Sequence, residues 1–164
     1  MFTDIAGYTE QMSKDEDKAF ALIKKKRELL LPLLEKHEGK LIKEIGDGTL
    51  TRYFKADNAI DCATTFQSKT DTDLNVRAGI HTGEVIIDKE DVFGDVVNVA
   101  SRLESIAIPG SILVSKETID KLENKGRIDI PEVKSAVLDE IKSSMSEFQD
   151  LIHNSTANRL LKDI

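Results

Sequence analysis

Residues 91–105 read DVFGDVVNVASRLES and predict a strand end, a turn and a helix. Gly94 breaks the preceding strand, and Asp95 is a residue type that caps helix N-termini. Asn98 and Arg102 lie four residues apart, so their side chains can reach the same bound group. The apolar residues recur at helical spacing on the other face, namely Val96, Val99, Ala100, Leu103 and Ala107. The helix therefore packs one face and leaves the other free for chemistry.

The composition indicates one domain with a short appendage and excludes several classes of protein. A chain of 164 residues buries a core without disulfides, and its net charge of -7 argues against a nucleic-acid partner. Cys62 is the only cysteine, which suits a reducing compartment, and no run is apolar enough for a signal peptide or a membrane span. We therefore expect a cytoplasmic protein without a membrane segment.

The N-terminal part predicts a short strand followed by a long helix. Residues 1–5 end a strand that delivers Asp4 to its carboxyl edge, and a small loop containing Gly7 follows. A helix is expected from about residue 15 to 37, kinked or divided at Pro32, with a solvated basic run at residues 24–27. Its apolar stripe is predicted to comprise Phe20, Ile23, Leu30 and Leu34.

Residues 40–54 predict a hairpin folded about Gly46-Asp47-Gly48. Such a tripeptide is more commonly a plain turn, but two features indicate a functional role for this one. Lys43 alternates with Leu41 and Ile45 on an inward or cleft-facing side, where a lysine needs a partner. A tight turn also holds Asp47 rigidly enough to serve as a metal ligand.

The remaining elements complete an α+β arrangement. We expect a helix over residues 56–67, a strand over 74–82 that forms a second hairpin with residues 85–87, and a strand over 112–114. A last helix begins after Ser115, which is a good N-cap, and His81 is more simply a satisfied histidine than a metal ligand. The order of elements predicts a ferredoxin-like, split βαβ fold with one antiparallel-rich sheet covered by helices.

Four motifs occur in a specific order: F-x-D-I at residues 2–5, K-x-x-G-D-G at 43–48, R-x-G-I-H-x-G-E at 77–84, and the segment 91–105. Together they resemble the catalytic domain of class III adenylate and guanylate cyclases over about residues 1–125. The resemblance implies two Mg²⁺ or Mn²⁺ ions at Asp4 and Asp47, purine selection by Lys43 and Asp91, transition-state contacts from Asn98 and Arg102, and phosphate contacts from Arg77 and the loop of Gly7.

The resemblance also implies an activity and an assembly. The ribose 3′-hydroxyl of ATP attacks the α-phosphorus in line, which yields 3′,5′-cyclic AMP and pyrophosphate. A lysine donor with an aspartate acceptor matches adenine, so we expect ATP rather than GTP as substrate. Family members act as homodimers with composite sites. Two alternatives stay open: a catalytically impaired nucleotide-binding or dimerisation module, and a guanylate cyclase.

The two ends of the chain depart from the family pattern. The first strand begins at residue 1, and nothing from residue 126 onward resembles the final strand pair of the family, so we expect a domain truncated at both ends. Residues 126–164 form a separate tail of unknown role, with an amphipathic helix expected between Pro131 and Ile152. The tail could dimerise or relay a signal, cover a sheet edge, or be a frame-shifted end without a role.

Overall fold

The computed structural model of the chain describes residues 1–89 and 91–123. The predicted tail helix lies outside these residues. A membrane crossing would require a longer or more apolar helix than any in the described part. The described elements follow the order β1 (Phe2–Ile5), α1 (Tyr8–Lys14), α2 (Glu16–Lys36), β2 (Lys40–Ile45), β3 (Gly48–Arg52), α3 (Ala56–Gln67), β4 (Val76–Ile80), β5 (Ile86–Asp88), β6 (Asp91–Phe93), α4 (Asp95–Ile106), β7 (Ile112–Val114) and α5 (Lys116–Asp120).

Five strands form the main sheet in the order β2-β3-β1-β4-β7, and β5 and β6 form a separate two-stranded sheet. Neighbours in the main sheet run antiparallel except for β4 and β7, which are parallel. This arrangement confirms the predicted antiparallel-rich α+β sheet. The central place of β1 puts Asp4 directly opposite Arg77 of β4.

Helix α2 packs through a stripe that differs in part from the predicted one. Leu30 and Leu34 are buried as expected, and Ile23 packs against the same core from a partly buried position. Phe20 is 67% exposed, so its placement in the stripe is wrong. The small Ala19 is the residue that faces the interior there, which turns the neighbouring bulky ring toward solvent.

The basic run in α2 is solvated only in part. Lys24 and Arg27 are exposed as predicted, but Lys26 is 3% exposed, so the prediction is wrong for that residue. Successive helical residues project about 100° apart, and one of four consecutive side chains is therefore directed at the sheet. Pro32 lies inside α2, and the helix continues to Lys36 without being divided.

The first predicted hairpin is confirmed: β2 and β3 pair antiparallel and are joined at Gly46 and Asp47. A bulge between Leu41 and Lys43 interrupts the regular alternation of β2. Ile45 is consequently 56% exposed rather than inward, and that prediction is wrong.

The second predicted hairpin is wrong. Both edges of β4 are occupied, since it pairs antiparallel with β1 and parallel with β7. The strand that follows it, β5, pairs with β6 instead, with Ile87 opposite Val92. Residues 81–85, between β4 and β5, therefore carry the chain out of the main sheet.

Two helix starts test the predicted caps. Helix α4 begins at Asp95 with Gly94 as its N-cap, so the predicted cap is one residue too late. The physical reason is that the Gly94 carbonyl already accepts a hydrogen bond from the N–H of Val97. Ser115 caps α5 as predicted, and its side chain accepts from the N–H of Thr118.

Helix α4 lies in close contact with β4 at Gly79. A Cβ at this position would overlap the backbone of Ala100 and Glu104, so only glycine permits the approach. Ala100 is buried against the strand, while Asn98 and Arg102 are exposed. The two faces predicted for this helix are therefore confirmed.

Candidate active site

Two aspartates lie together at the centre of the main sheet. Asp4 belongs to β1, and Asp47 lies in the turn that leads into β3, the neighbour of β1. The N–H of Ile5 donates to Asp47 Oδ2 at 3.1 Å, so the residue after Asp4 holds the second carboxylate. A Cβ on Gly48 would lie 3.6 Å from Asp4 Oδ1, which shows how closely the turn packs on the first carboxylate. The adjacency expected from neighbouring strands is present, and the metal-binding role of both residues stays a prediction.

The proximity of the carboxylates changes the acidity of Asp47. Burial raises its pKa from 3.8 to about 6, and hydrogen bonding with Asp4 and repulsion by its charge act in the same direction. Such a pair fits a divalent cation, because Mg²⁺ is commonly bound by one or two carboxylates together with phosphate oxygens and water. Within residues 1–89 and 91–123, no three His, Cys, Asp or Glu side chains form a metal site by themselves. Asp4 and Asp47 would therefore hold an ion together with ligands from elsewhere, such as a nucleotide.

Arg77 joins this cluster from β4. Its Nη2 donates a hydrogen bond to Asp4 Oδ2 at 2.9 Å. Its Nε forms an ion pair with Glu104 Oε1 at 2.7 Å, but the Nε–H does not point at that oxygen, so the contact is not a hydrogen bond. Burial would lower the pKa of Arg77, but the hydrogen bond with Asp4 and the charge of Glu104 raise it. Sequence reasoning missed Glu104, although a carboxylate between the buried Ala100 of α4 and Ala107, the C-cap of that helix, was an available signal.

Lys26 reaches the same cluster from α2, and sequence reasoning missed it as well. Its Nζ donates to the carbonyl oxygen of Thr3 at 3.0 Å and to that of Asp47 at 2.5 Å. Burial lowers its pKa to about 8, while the charges of Asp4 and Asp47 oppose that decrease. Its spacing of four residues from the buried Leu22 and Leu30 was the signal that could have found it.

The structure brings together Lys43 and Asp91, the two residues to which the resemblance assigns purine selection. Lys43 Nζ donates to both carboxylate oxygens of Asp91, at 2.9 and 2.8 Å, and joins β2 to β6. The N–H of Val92 also donates to Asp91. These hydrogen bonds, that from Lys43 above all, lower the pKa of Asp91 and keep its carboxylate ionised. The two residues are thus in direct contact, and their role in purine selection stays a prediction.

The other predicted residues lie on different elements. Asn98 and Arg102 are exposed one turn apart on α4, and Arg77 contacts the same helix by donating to the carbonyl of Ser105 at 3.3 Å. Gly7 lies directly before α1 with φ of 76°, a left-handed conformation that a side chain would strain. The chain therefore turns sharply at Gly7, from the aspartate strand into a helix N-terminus.

Comparisons with known proteins identify the relatives of the chain. The family model described as the adenylate and guanylate cyclase catalytic domain matches residues 1–149. "Putative adenylate cyclase 3" of Rhizobium meliloti (strain 1021) is 34% identical over 142 residues, which cover 80% of this chain and 24% of that protein. An adenylate/guanylate cyclase/hydrolase structure from Silicibacter pomeroyi is 35% identical with a TM-score of 0.65, covering 72% of this chain and 74% of that one.

A second solved structure is the catalytic core of a rhodopsin-guanylyl cyclase with converted specificity in complex with ATPαS. It is 26% identical, with a TM-score of 0.63, and covers 76% of this chain and 79% of that one. The chain spans only 16% to 33% of the length of the first curated relatives. The family match extends past residue 125, and the domain boundary predicted there stays a prediction. The fold and the matched motifs agree, and the chain belongs to the adenylate and guanylate cyclase catalytic domain family.

Proposed function

We propose that the chain is an adenylate cyclase domain that converts ATP to 3′,5′-cyclic AMP and pyrophosphate in cytoplasmic signalling. The family leaves the base open, because it contains both adenylate and guanylate cyclases. The observation that carries the choice of ATP is the ion pair between Lys43 and Asp91. The cytoplasmic location rests on the sequence alone.

The hydrogen-bonding capacity of this pair supports adenine. While paired with Asp91, the Lys43 ammonium keeps a further N–H, and the carboxylate keeps lone pairs. In the proposed pose, Lys43 donates to N1 of adenine and Asp91 accepts from the 6-amino group. Guanine in that pose would set donor against donor and acceptor against acceptor. Leaving such groups unpaired can reject a substrate by about 10⁴-fold.

The aspartate cluster is proposed to bind the triphosphate end of ATP. Asp4 and Asp47 would hold two Mg²⁺ or Mn²⁺ ions together with phosphate oxygens. When bound, such ions activate the 3′-hydroxyl as a nucleophile and offset the charge of the phosphates. Arg77 supplies a planar set of donors beside Asp4, suited to the departing pyrophosphate. Gly7 lets the loop before α1 bring backbone N–H groups toward the phosphates.

The α4 residues support a shared site. Asn98 is proposed to orient the ribose, and Arg102 to neutralise charge on the α-phosphoryl oxygens. Both side chains are exposed, on a different element from the aspartates. We propose a homodimer in which Asp4 and Asp47 of one copy act with the lysine, asparagine and arginine of the other, giving two equivalent composite sites.

The first test measures cyclic AMP and cyclic GMP formed from Mn-ATP and Mn-GTP over a range of protein concentrations, with Asp47→Ala as the blank. We expect cyclic AMP as the main product, at a rate that rises more steeply than linearly with concentration. Nucleotide binding without product would replace the proposal with the binding or dimerisation module. Cyclic GMP as the main product would replace it with a guanylate cyclase.

A second test exchanges the purine pair. Lys43→Glu combined with Asp91→Cys removes the donor and the acceptor proposed for adenine, and we expect preference to move from ATP toward GTP in steady-state kinetics. Lys40→Glu makes the same charge change as Lys43→Glu alone, at an exposed position of β2, and is expected to keep the original preference. Unchanged selectivity in the double variant would contradict the roles proposed for Lys43 and Asp91.

A further inference from the structure

Lys26 is a buried cation directly behind the aspartate cluster. It is 3% exposed, whereas Lys24 of the same helix is exposed and pairs only loosely with Glu28, 4.0 Å away. A buried ammonium is costly unless its N–H groups are satisfied. The hydrogen bonds of the Lys26 ammonium therefore explain why a lysine is tolerated at a buried position that would otherwise suit leucine.

Both acceptors of Lys26 belong to the segments that carry the metal-site aspartates. One is the carbonyl of Thr3, the residue before Asp4, and the other is the carbonyl of Asp47 itself. These carbonyls lie on β1 and on the β2–β3 turn, which are far apart in sequence. A single ammonium thus ties together the two backbone segments that set the distance between the carboxylates.

Lys26 acts at the turn itself, where it adds to the other contacts between these segments. The β1–β3 ladder pairs Thr3 with Thr49, and their hydroxyls are hydrogen-bonded, but this pairing lies beyond the turn. At the turn itself, the N–H of Ile5 holds the Asp47 side chain and Lys26 holds its backbone. Lys26 reaches the main chain, so it acts without occupying the carboxylate oxygens that an ion would use.

We propose that Lys26 is a positioning residue that fixes Asp4 and Asp47 in the geometry that binds divalent cations. This inference rests on the proposed function, since it requires that the two aspartates bind metal. Residues that orient metal ligands without touching the ion typically contribute about 10- to 100-fold to metal affinity. The role is therefore measurable without following the reaction.

The test measures Mn²⁺ binding to the purified chain in the presence of 3′-deoxy-ATP, which lacks the attacking hydroxyl. Free Mn²⁺ is followed by electron paramagnetic resonance. Lys26→Met keeps the buried stem and removes the ammonium, and we expect it to weaken Mn²⁺ binding by about tenfold or more. At saturating Mn²⁺ its KM for ATP is expected to stay within about twofold, because the nucleotide contacts are unchanged.

Two matched controls separate positioning from general destabilisation. Lys24→Met removes an exposed ammonium from the same helix, and Ala19→Gly weakens α2 at another buried position of its stripe. Both are expected to bind Mn²⁺ as the unchanged chain does. Should Lys26→Met not fold, Lys26→Gln replaces it, since an amide is too short to span both carbonyls, and the same loss is expected.

The outcomes distinguish this inference from the proposed function. If the unchanged chain binds Mn²⁺ and a folded Lys26 variant binds it equally well, the positioning role is overturned and the proposed function stands. If Ala19→Gly loses as much affinity as the Lys26 variant, Lys26 acts only through stability, and the inference is overturned. If the unchanged chain binds no Mn²⁺ with the nucleotide, the proposed function is overturned together with the inference.

Discussion

Replacing Asp47 by asparagine should stabilise the metal-free protein while abolishing metal binding. The pKa of Asp47 lies at about 6 instead of 3.8, so the folded state resists ionisation of this carboxyl. At full strength this difference corresponds to about 3 kcal/mol. Asp47 is only half-buried, and solvent screening reduces the figure, so we expect a gain of about 1 kcal/mol in the free energy of unfolding for Asp47→Asn at pH 7.5.

The sign of the effect depends on pH. A carboxyl whose pKa is raised in the folded state costs nothing below its unfolded value, because both states are then protonated. Between pH 3.8 and about 6 the folded chain keeps a proton that the unfolded chain has lost, so the stability of the unchanged protein falls over this range. Asparagine does not titrate. The advantage of Asp47→Asn should therefore be absent near pH 4 and complete above about pH 6.

Urea unfolding in EDTA at pH 4 and pH 7.5 measures this advantage. Asp73→Asn, the same change at an exposed position before β4, serves as the control and should alter stability little at either pH. Added Mn²⁺ with nucleotide should stabilise the unchanged protein and leave Asp47→Asn unaffected. The reasoning is refuted if Asp47→Asn is no more stable at pH 7.5, or if its gain persists undiminished at pH 4.

Two further predictions follow from the same cluster and its neighbours. The Mn²⁺ affinity of the unchanged chain should fall by up to about tenfold per pH unit below about pH 6, because a proton on Asp47 competes with the ion. Calorimetric titration at pH 5, 6 and 7 measures this affinity, and an affinity that does not change with pH would contradict the prediction. Gly79→Ala should lower the free energy of unfolding in urea by at least about 2 kcal/mol and reduce cyclase activity, because its Cβ would push α4 away from β4. Unchanged stability and activity would contradict this close contact.

The sequence predicted the parts of the site that local pattern controls. The two faces of α4 followed from its spacing, and the tight turn at Asp47 followed from its glycines, so both are placed correctly. Lys43 was expected to need a partner on its face of β2, and Asp91 is that partner. These features depend on residues close in sequence or on the elementary requirement that a charge be paired.

The rest depended on contacts between distant segments. Lys26 was assigned to solvent because a run of charged residues usually forms a solvated face, and only the fold brings the carbonyls of Thr3 and Asp47 to it. The second hairpin failed for a related reason. The chain does leave β4 after Ile80, but strand order decides whether two successive strands pair, and β1 and β7 already occupy both edges of β4.

The charges of the cluster connect these observations to function. Asp4, Asp47 and Glu104 bring three carboxyl groups together, and Arg77 and Lys26 bring two cations, so full ionisation leaves an excess negative charge. Burial above all, and then repulsion by the neighbouring carboxylates, raises the pKa values of Asp47 and Glu104. A divalent ion would reverse the sign of that excess charge and then attract a polyanionic phosphate chain. Metal and nucleotide should therefore bind cooperatively, because the ion neutralises the negative charge of the carboxylates and the phosphates neutralise the positive charge of the ion.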